Sequence, residues 1–182
     1  VTLTILLIVS ITISCKRKSS DKEGFIIVNP AFKTYVDGFT TGHITSNSSI
    51  KVRFQFEIAD SNLINKFIDN DVFSFNPRLS GKNRWIDAKT LEFVPDEKLK
   101  NDVMYTADLN LKKIIQVPDS LAKMRFSFKT VTQDFDVIIE NSRAYNVDDL
   151  SLEFISGVLL TADIAENEEI TNTLTATQNG KN

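Results

Sequence analysis

The chain has 182 residues, a net charge of −3, 42% hydrophobic residues and 25% charged residues. This composition is sufficient for a packed core and excludes a chain that is disordered throughout. The net charge excludes a strongly basic protein drawn to nucleic acid. One cysteine and one histidine exclude a disulfide framework and a zinc site built from these residue types within the chain.

The N-terminal segment, Val1–Ser14, is an uncharged apolar run of 14 residues. It is shorter than the ~20 residues of a membrane-spanning helix and fits the apolar region of a secretory signal. Cys15 follows at once, and residues 16–24 form a polar tether that opens with three cations. This layout resembles a bacterial lipoprotein signal, which implies that residues 1–15 are the signal and that Cys15 is lipidated and anchors the protein to a membrane. An incidental cysteine in an ordinary signal peptide and a truncated membrane anchor are the alternatives.

Beyond the tether, alternation of apolar and polar residues predicts β-strands, because successive side chains of a strand point to opposite faces of the sheet. A short apolar strand is predicted at Phe25–Val28. The clearest strand is predicted over nine residues with one buried face, formed by Ile50, Val52, Phe54, Phe56 and Ile58. Weaker alternation predicts further strands around Phe73–Phe75, Leu91–Phe93, Tyr105–Leu111, Phe126–Phe128 and Phe135–Ile139.

Helix is predicted only in short pieces, at Ser61–Asp69 and as a single turn at Pro118–Lys123. Turn signals such as Asp37-Gly38 and Pro95-Asp96 separate the predicted strands. Many short strands with turns between them are typical of a β-sandwich. We therefore expect an all-β protein with an Ig-like antiparallel β-sandwich over residues 25–131.

The distribution of charge predicts a boundary after that sandwich. Residues 1–131 contain 19 basic and 14 acidic residues, a net charge of +5, whereas residues 132–182 contain 2 basic and 10 acidic residues, a net charge of −8. We expect residues 132–182 to be the incomplete start of a second β domain, with strands near 135–140, 151–161 and 168–174. Two or three strands have marginal stability alone, so we expect the rest of that domain to lie outside this chain.

Motifs for catalysis and cofactor binding are missing from the sequence. It contains no Gly-rich phosphate loop, no Gly-x-Ser-x-Gly and no His-Glu-x-x-His. The single histidine, His43, excludes a histidine-based triad and is expected at a surface or strand end. The carboxylates of Asp148-Asp149, Glu168-Glu169 and Asp69-Asn70-Asp71 are expected on solvated faces or in turns. Cations around Trp85 are expected to flank a core tryptophan. We therefore expect no enzyme activity, cofactor or metal.

The segment Phe73–Leu111 carries the most specific pattern in the chain. It contains Phe-x-Phe-x-Pro, Gly-x-x-x-Trp, Thr-Leu-x-Phe-x-Pro and a following tyrosine. In this order, after a lipoprotein-like start, the motifs resemble the N-terminal Ig-like and macroglobulin-like domains of bacterial lipoproteins of the alpha-2-macroglobulin family. The segment from Asp148 to Glu169 resembles the start of the next macroglobulin-like domain.

The resemblance implies the anchor and scaffold of an endopeptidase inhibitor in the bacterial cell envelope, membrane-anchored and facing the periplasm. Target endopeptidases would then be its partners, through regions outside this chain. Cys15 is the only residue whose role the resemblance carries over. A small Ig-like surface lipoprotein for adhesion or glycan binding is the alternative function, which exposed aromatic side chains on one face would favour. The oligomeric state is open.

Overall fold

The computed structural model describes residues 24–69, 71–173, 175 and 177. Short 3-10 turns lie at Pro30–Thr34, Ser61–Leu63, Leu111–Lys113 and Asp119–Leu121. The strands and the single α-helix of the described residues are β1 Val36–Phe39, β2 Gly42–Ile44, β3 Ile50–Phe54, β4 Phe67–Ile68, β5 Phe73–Asn76, β6 Gly81–Trp85, β7 Thr90–Pro95, β8 Met104–Asn110, β9 Lys123–Thr130, β10 Phe135–Asn146, β11 Asp149–Thr161 and α1 Asn167–Thr173.

Strands β1 to β9 form the two sheets of a β-sandwich. The first sheet has the order β1-β3-β7-β6-β4 and the second has the order β2-β9-β8-β5. All pairs are antiparallel except β2 and β9, which run parallel. Strands β10 and β11 form a separate two-stranded antiparallel sheet. The predicted all-β class and sandwich are confirmed.

Strand β3 shows how the sequence pattern produces the core. Ile50, Val52 and Phe54 are buried, and Lys51 and Arg53 between them are exposed, as the alternation predicts. The strand ends sooner than predicted, at Phe54, which is paired with Val36, the first residue of β1. Phe56 is therefore 42% exposed, and the predicted extension of the strand to Ile58 is wrong.

The core between the two sheets is rich in aromatic residues. In β7 and β9, polar residues within the strands are buried as well, namely Thr90, Glu92, Ser127 and Thr130. The segment that precedes the first 3-10 turn covers the outer side of Ser127, since the Ile26 amide donates a 2.8 Å hydrogen bond to the Ser127 hydroxyl. The fully buried apolar side chains are Ile50, Val52, Phe54, Val72, Leu91, Ala107, Leu109, Leu111, Met124, Phe126 and Phe128, each 0–1% exposed.

Other predicted elements differ in detail from the structure. Phe25–Val28 is not a strand, and Ser61–Asp69 contains only a 3-10 turn followed by β4. The single turn after Pro118 is confirmed. The strand predicted at 168–174 is wrong, because α1 occupies that position.

Local capping explains helix α1. Two acidic residues lie in its first turn, where the helix dipole favours negative charge. The Glu169 carboxylate also accepts a 2.9 Å hydrogen bond from the amide of Glu166, in the manner of a capping box. Within the described part of the chain, no helix is long and apolar enough to cross a membrane.

Candidate functional site

Strands β10 and β11, called the ribbon from here on, form the most unusual surface of the described residues. They are 12 and 13 residues long and pair only with each other among the strands that the structure describes. Nine large apolar or aromatic side chains of the ribbon are 40–71% exposed, namely those of Phe135, Val137, Ile138, Ile139, Tyr145, Phe154, Ile155, Val158 and Leu160. A soluble domain seldom exposes such a contiguous apolar surface without a partner for it.

The register sorts these side chains onto two faces, because directly opposed residues share a face. Val137 opposes Leu159 on one face, and Ile138 opposes Val158 on the other. Between Ile139 and Asn141 the register shifts by one residue in β10, so that Glu140 is the extra residue of a bulge. Strand β11 has no such interruption in this region.

One face of the ribbon, called the helix-side face, is partly covered by α1. Phe135 and Leu159 of this face, with Ala165 and Ile170, line a cavity of about 260 Å³. Polar groups that include Glu169 also line this cavity. Helix α1 thus shelters the base of this face and leaves its outer half exposed.

The opposite face, called the open face, has no described element packed over it. Ile138, Val158 and Leu160 form its apolar base, and Phe154 lies further out. The guanidinium of Arg143 lies 4.9 Å from the centre of the Phe154 ring, which is the geometry of a cation–π contact. The open face therefore presents an apolar surface with one cation near its outer end.

The ribbon has little of the usual protection of exposed strands. Natural sheets block edge pairing with lysine, proline or bulges; the ribbon has the bulge at Glu140, but residues 135–161 contain no proline, no lysine and a single arginine. Gly157 tightens the pairing further, because a Cβ at this position would lie 2.3 Å from the Ile138 carbonyl oxygen. The composition of the ribbon favours contact with another protein surface over isolation in water.

Asp163 fixes the base of the ribbon to the sandwich. It is 5% exposed, and its Oδ2 accepts hydrogen bonds from the Ser46 amide at 2.8 Å and from the Asn101 side chain at 2.6 Å. The Asp163 amide donates to the Gln133 side-chain oxygen at 2.9 Å. Lys98 adds a bond from Nζ to the Ile164 carbonyl at 2.8 Å. These bonds tie both strand ends to one corner of the sandwich.

The protonation of Asp163 follows from the same contacts. Burial raises the pKa of its carboxyl, but the hydrogen bonds from the Ser46 and Ile164 amides and from Asn101 outweigh this effect. The pKa therefore lies below the ordinary value of 3.8, since hydrogen bonds to the ionised form favour it. The junction carries a carboxylate at neutral pH.

A second buried carboxylate, Glu92, lies within the first sheet. It accepts hydrogen bonds from the Ser49 hydroxyl at 2.5 Å and from Arg84 Nε at 2.6 Å, and Lys51 lies 3.5 Å away. Burial raises its pKa, but these donors and charges lower it more, so the pKa lies below 4.5. Both carboxylate oxygens of Glu92 thus have hydrogen-bond or charged partners within the sheet. We assign this network a structural role.

The sandwich also has an open cleft of about 670 Å³ between its edge strands β4 and β5. Phe73, Phe75 and Phe93 contact one another at its floor, with ring centres 4.5–6.1 Å apart. Arg78 and Lys82 are among the charged residues of its rim. The cleft thus combines half-buried aromatic rings with polar walls.

The residues singled out from the sequence do not come together in the structure. Cys15, the predicted lipidation site, lies outside the described residues. His43 is exposed on β2 and contacts the Phe25 ring edge-on at 5.5 Å. Trp85 is a core residue, 5% exposed, as predicted. Among the described residues, no three His, Cys, Asp or Glu side chains are placed to hold a metal ion.

Sequence reasoning missed the junction at Asp163 and the buried Glu92. Asp163 follows an apolar strand in a region rich in acids, and its partner Ser46 lies 117 positions away, so no local signal marks it. Glu92 lies between Leu91 and Phe93 in a regular alternation, which predicts an exposed side chain. The positive charges of Lys51 and Arg84 on the neighbouring strands were the only available signal.

No protein-family model and no curated protein matches the chain. Solved structures that resemble it include L,D-transpeptidase 3 from Mycobacterium tuberculosis in complex with a faropenem-derived adduct, at 15% identity and a TM-score of 0.37 over 59% of this chain and 41% of that one. An L,D-transpeptidase from M. tuberculosis H37Rv has 14% identity and a TM-score of 0.38, over 58% of this chain and 42% of that one. An L,D-transpeptidase from Mycobacterium smegmatis has 16% sequence identity and a TM-score of 0.34, over 63% of this chain and 41% of that one. The chain thus matches about two-fifths of each of these proteins, and at this similarity their activity does not transfer to it.

These comparisons correct the resemblance to the alpha-2-macroglobulin family, which is wrong: the matching structures belong to a different class of protein. The motifs behind it have local structural causes. Gly81 is required because a Cβ there would lie 2.4 Å from the Val94 carbonyl oxygen, and Trp85 and Tyr105 are core residues. Such requirements recur wherever hairpins pack into a sandwich, so they do not identify a family.

Proposed function

We propose that this chain is a non-catalytic scaffold module of an envelope lipoprotein, in which the sandwich holds the ribbon as a surface for protein assembly. The observation that carries this proposal is the exposure of apolar side chains on both faces of a ribbon that is fixed at its base by Asp163. Apolar burial is the main driving force of association. A ribbon held in place loses less freedom on binding than a disordered segment would.

The proposed location rests on the N-terminal sequence. Val1–Ser14 followed by Cys15 and a polar tether has the layout of a lipoprotein signal. Two acyl chains on Cys15 would give stable membrane anchoring. The tether would then separate the sandwich and its ribbon from the membrane surface.

The assembly role is tested by placing two lysines on the open face, Ile138→Lys with Val158→Lys, in the full chain. Native gel migration of detergent extracts measures the size of the complex. We expect the unaltered protein to migrate well above its 20.5 kDa monomer and the double variant to migrate as a monomer. The matched control, Asn62→Lys with Gln116→Lys, adds the same charge at exposed sandwich positions and should migrate as the unaltered protein does.

Fluorescence of Trp85 checks the fold of the variants, because it is the only tryptophan and lies in the sandwich core. Its unfolding transition should be unchanged by the lysines on the ribbon. Equal migration of the ribbon variant and the unaltered protein, with the sandwich folded, would show that the ribbon is not an assembly surface.

Glycan binding is a second candidate function, favoured by the cleft between β4 and β5. Its floor offers the Phe73 and Phe75 rings, which are stacked at 5.8 Å, and its rim offers charged side chains that form hydrogen bonds. Phe75→Ala would then reduce binding to immobilised polysaccharides at least tenfold, measured by retention on the matrix. Retention that is equal for the variant and the unaltered protein, or absent for both, would exclude this function for the cleft.

A further inference from the structure

The cavity between α1 and the helix-side face has the size of a site for one large side chain. Phe135, Leu159 and Ile170 supply apolar walls, and its volume is about 260 Å³, below the ~300–1,000 Å³ of pockets that enclose whole drug-sized ligands. We propose that this cavity holds an aromatic side chain of a partner protein, whose extended segment continues along the helix-side face. The proposal rests on the ribbon as an interaction surface, as proposed above, and gives the helix-side face a partner of stated chemistry.

The polar part of the cavity lining is held in place by the junction at Asp163. The Gln133 side-chain amide bonds the Asp163 backbone through both of its polar atoms, at 2.9 and 3.3 Å. The Asn101 side chain donates to the Asp163 carboxylate and to the Val131 carbonyl. Both residues line the cavity, so this part of the site is formed before a ligand arrives. Such preorganisation lowers the entropic cost of binding.

Beyond the cavity, the helix-side face continues outward as an apolar strip. Val137, Ile139 and Ile155 belong to this face by the register of the ribbon, and they are 53–66% exposed. A ligand confined to the cavity would leave them in water, whereas a chain segment that leaves the cavity along the strip would cover them. Side chains on one face of a strand repeat about every 7 Å, which is also the repeat of an extended peptide. The strip therefore fits an extended segment with apolar residues at alternate positions.

Carboxylates lie at both ends of the strip. Glu153 is exposed on the helix-side face at its outer end. At the base, Glu166, Glu168 and Glu169 are exposed beside or within α1, and Glu169 lines the cavity. Of these three, only Glu169 has a cation within 4 Å among the described residues, namely Lys98 at 3.7 Å. Charge complementarity therefore favours lysine or arginine at both ends of the bound segment.

Binding of a designed peptide tests the site. The peptide Lys-Phe-Ser-Val-Ser-Val-Ser-Lys places its phenylalanine in the cavity, its valines over the strip and its lysines near the two groups of acids. It is immobilised in both chain directions, and binding of the full-length protein in detergent is measured by surface plasmon resonance. We expect the better direction to bind at least tenfold more tightly than the same peptide with alanine in place of phenylalanine. Replacement of both lysines by glutamate should weaken binding by a similar factor.

A variant that fills the cavity tests the same site from the protein side. Ala165 lines the cavity, so Ala165→Phe should weaken peptide binding at least tenfold. Ala162→Phe makes the same change at an exposed position nearby and should bind as the unaltered protein does. Fluorescence of Trp85 checks that the sandwich is folded in both variants.

The outcomes separate this proposal from the assembly role tested on the open face. Equal binding of the phenylalanine and alanine peptides, or no binding in either direction, would overturn the cavity as an anchor site. Equal weakening by Ala165→Phe and Ala162→Phe would also overturn it. Ile138→Lys with Val158→Lys should leave peptide binding unchanged, and loss of binding in that variant would place the peptide on the open face instead. The assembly role fails by a different measurement, the native size of the complex in that double variant.

Discussion

The carboxylate of Asp163 and the amide of Ser46 form a 2.8 Å hydrogen bond between residues 117 positions apart in the sequence. Ser46 in turn accepts a hydrogen bond from the Leu99 amide through its carbonyl, at 2.8 Å. Asp163 therefore connects the end of β11 to two loops of the sandwich. This bond explains how an exposed ribbon keeps a defined position.

Replacement of Asp163 by alanine is expected to free the base of the ribbon. The Ser46 amide and the Asn101 side chain would lose their acceptor, which should weaken the attachment of the ribbon to the sandwich by about 1–3 kcal/mol. Limited proteolysis should then cut the linker at Thr132–Asp134 several-fold faster, while unfolding monitored by Trp85 fluorescence changes little. Asp136→Ala, at an exposed position of the ribbon, is the control and should be cut at the original rate. Equal rates of proteolysis in the two variants would contradict the anchoring role of Asp163.

Stability is expected to fall in acid because of Glu92. Its folded pKa lies below 4.5, so the ionised form stabilises the fold fully above that pH and this stabilisation is lost as pH falls through the folded pKa. Glu92→Gln should lower the stability at pH 7 by about 1–3 kcal/mol and flatten its pH dependence below pH 4.5 relative to the unaltered protein. Urea unfolding from about pH 3, below the usual carboxyl titration, to about pH 7, well above it, measures both effects.

The control for Glu92 is Asp60→Asn, an exposed carboxylate that should change neither the stability nor its slope. Asp108 and Asp163 also have lowered pKa values, so some acid sensitivity should survive in Glu92→Gln. A variant that keeps the full slope would show that the Glu92 network does not contribute to acid unfolding.

Substitutions at two glycines test the stability of the sandwich and of the ribbon separately. A Cβ at Gly81 would lie 2.4 Å from the Val94 carbonyl oxygen, and one at Gly157 would lie 2.3 Å from the Ile138 carbonyl oxygen. Gly81→Ala should destabilise the sandwich by about 1–3 kcal/mol, as overpacking does. Gly157→Ala should abolish hydrogen-exchange protection in the ribbon and leave the Trp85 transition in place. Gly38→Ala, with open space around it, is the control for both.

Two phenylalanines test where the core ends. Phe126 is fully buried and Phe56 is 42% exposed, although the sequence pattern places both on buried faces. Phe126→Ala should cost about 3–5 kcal/mol, whereas Phe56→Ala should cost roughly 0.5 kcal/mol or less. Thermal unfolding of the two variants compares them directly, and equal losses would contradict the early end of β3.

The sequence predicts the sandwich because its signals are local. In β3 and β8, side chains alternate between the core and solvent, so Ile50, Val52 and Leu109 can be assigned to the core by period alone. The end of β3 could not be predicted, because it coincides with the start of its partner strand β1 at Val36, which is not a neighbour in the sequence. The acidic segment that was predicted as a strand forms α1 because Glu169 caps the Glu166 amide.

The candidate site was predicted only in part. The strands of the ribbon and the marginal stability of a two-stranded piece follow from composition. The anchoring of the ribbon could not be predicted from composition, because Asp163 and Ser46 come together only in the folded chain. The division of the ribbon into two faces also depends on the bulge at Glu140, where β10 itself has no proline or glycine to mark the change of register.

Thiol labelling of a cysteine on the open face tests most directly whether the ribbon is covered in the assembled protein. Val158→Cys in the full chain, probed with a maleimide in intact cell envelopes, should react at least tenfold more slowly than Asp60→Cys on the exposed sandwich surface. Adding Ile138→Lys should raise the Val158→Cys rate to that of Asp60→Cys. Rapid labelling of Val158→Cys without the added lysine would contradict the assembly role of the ribbon.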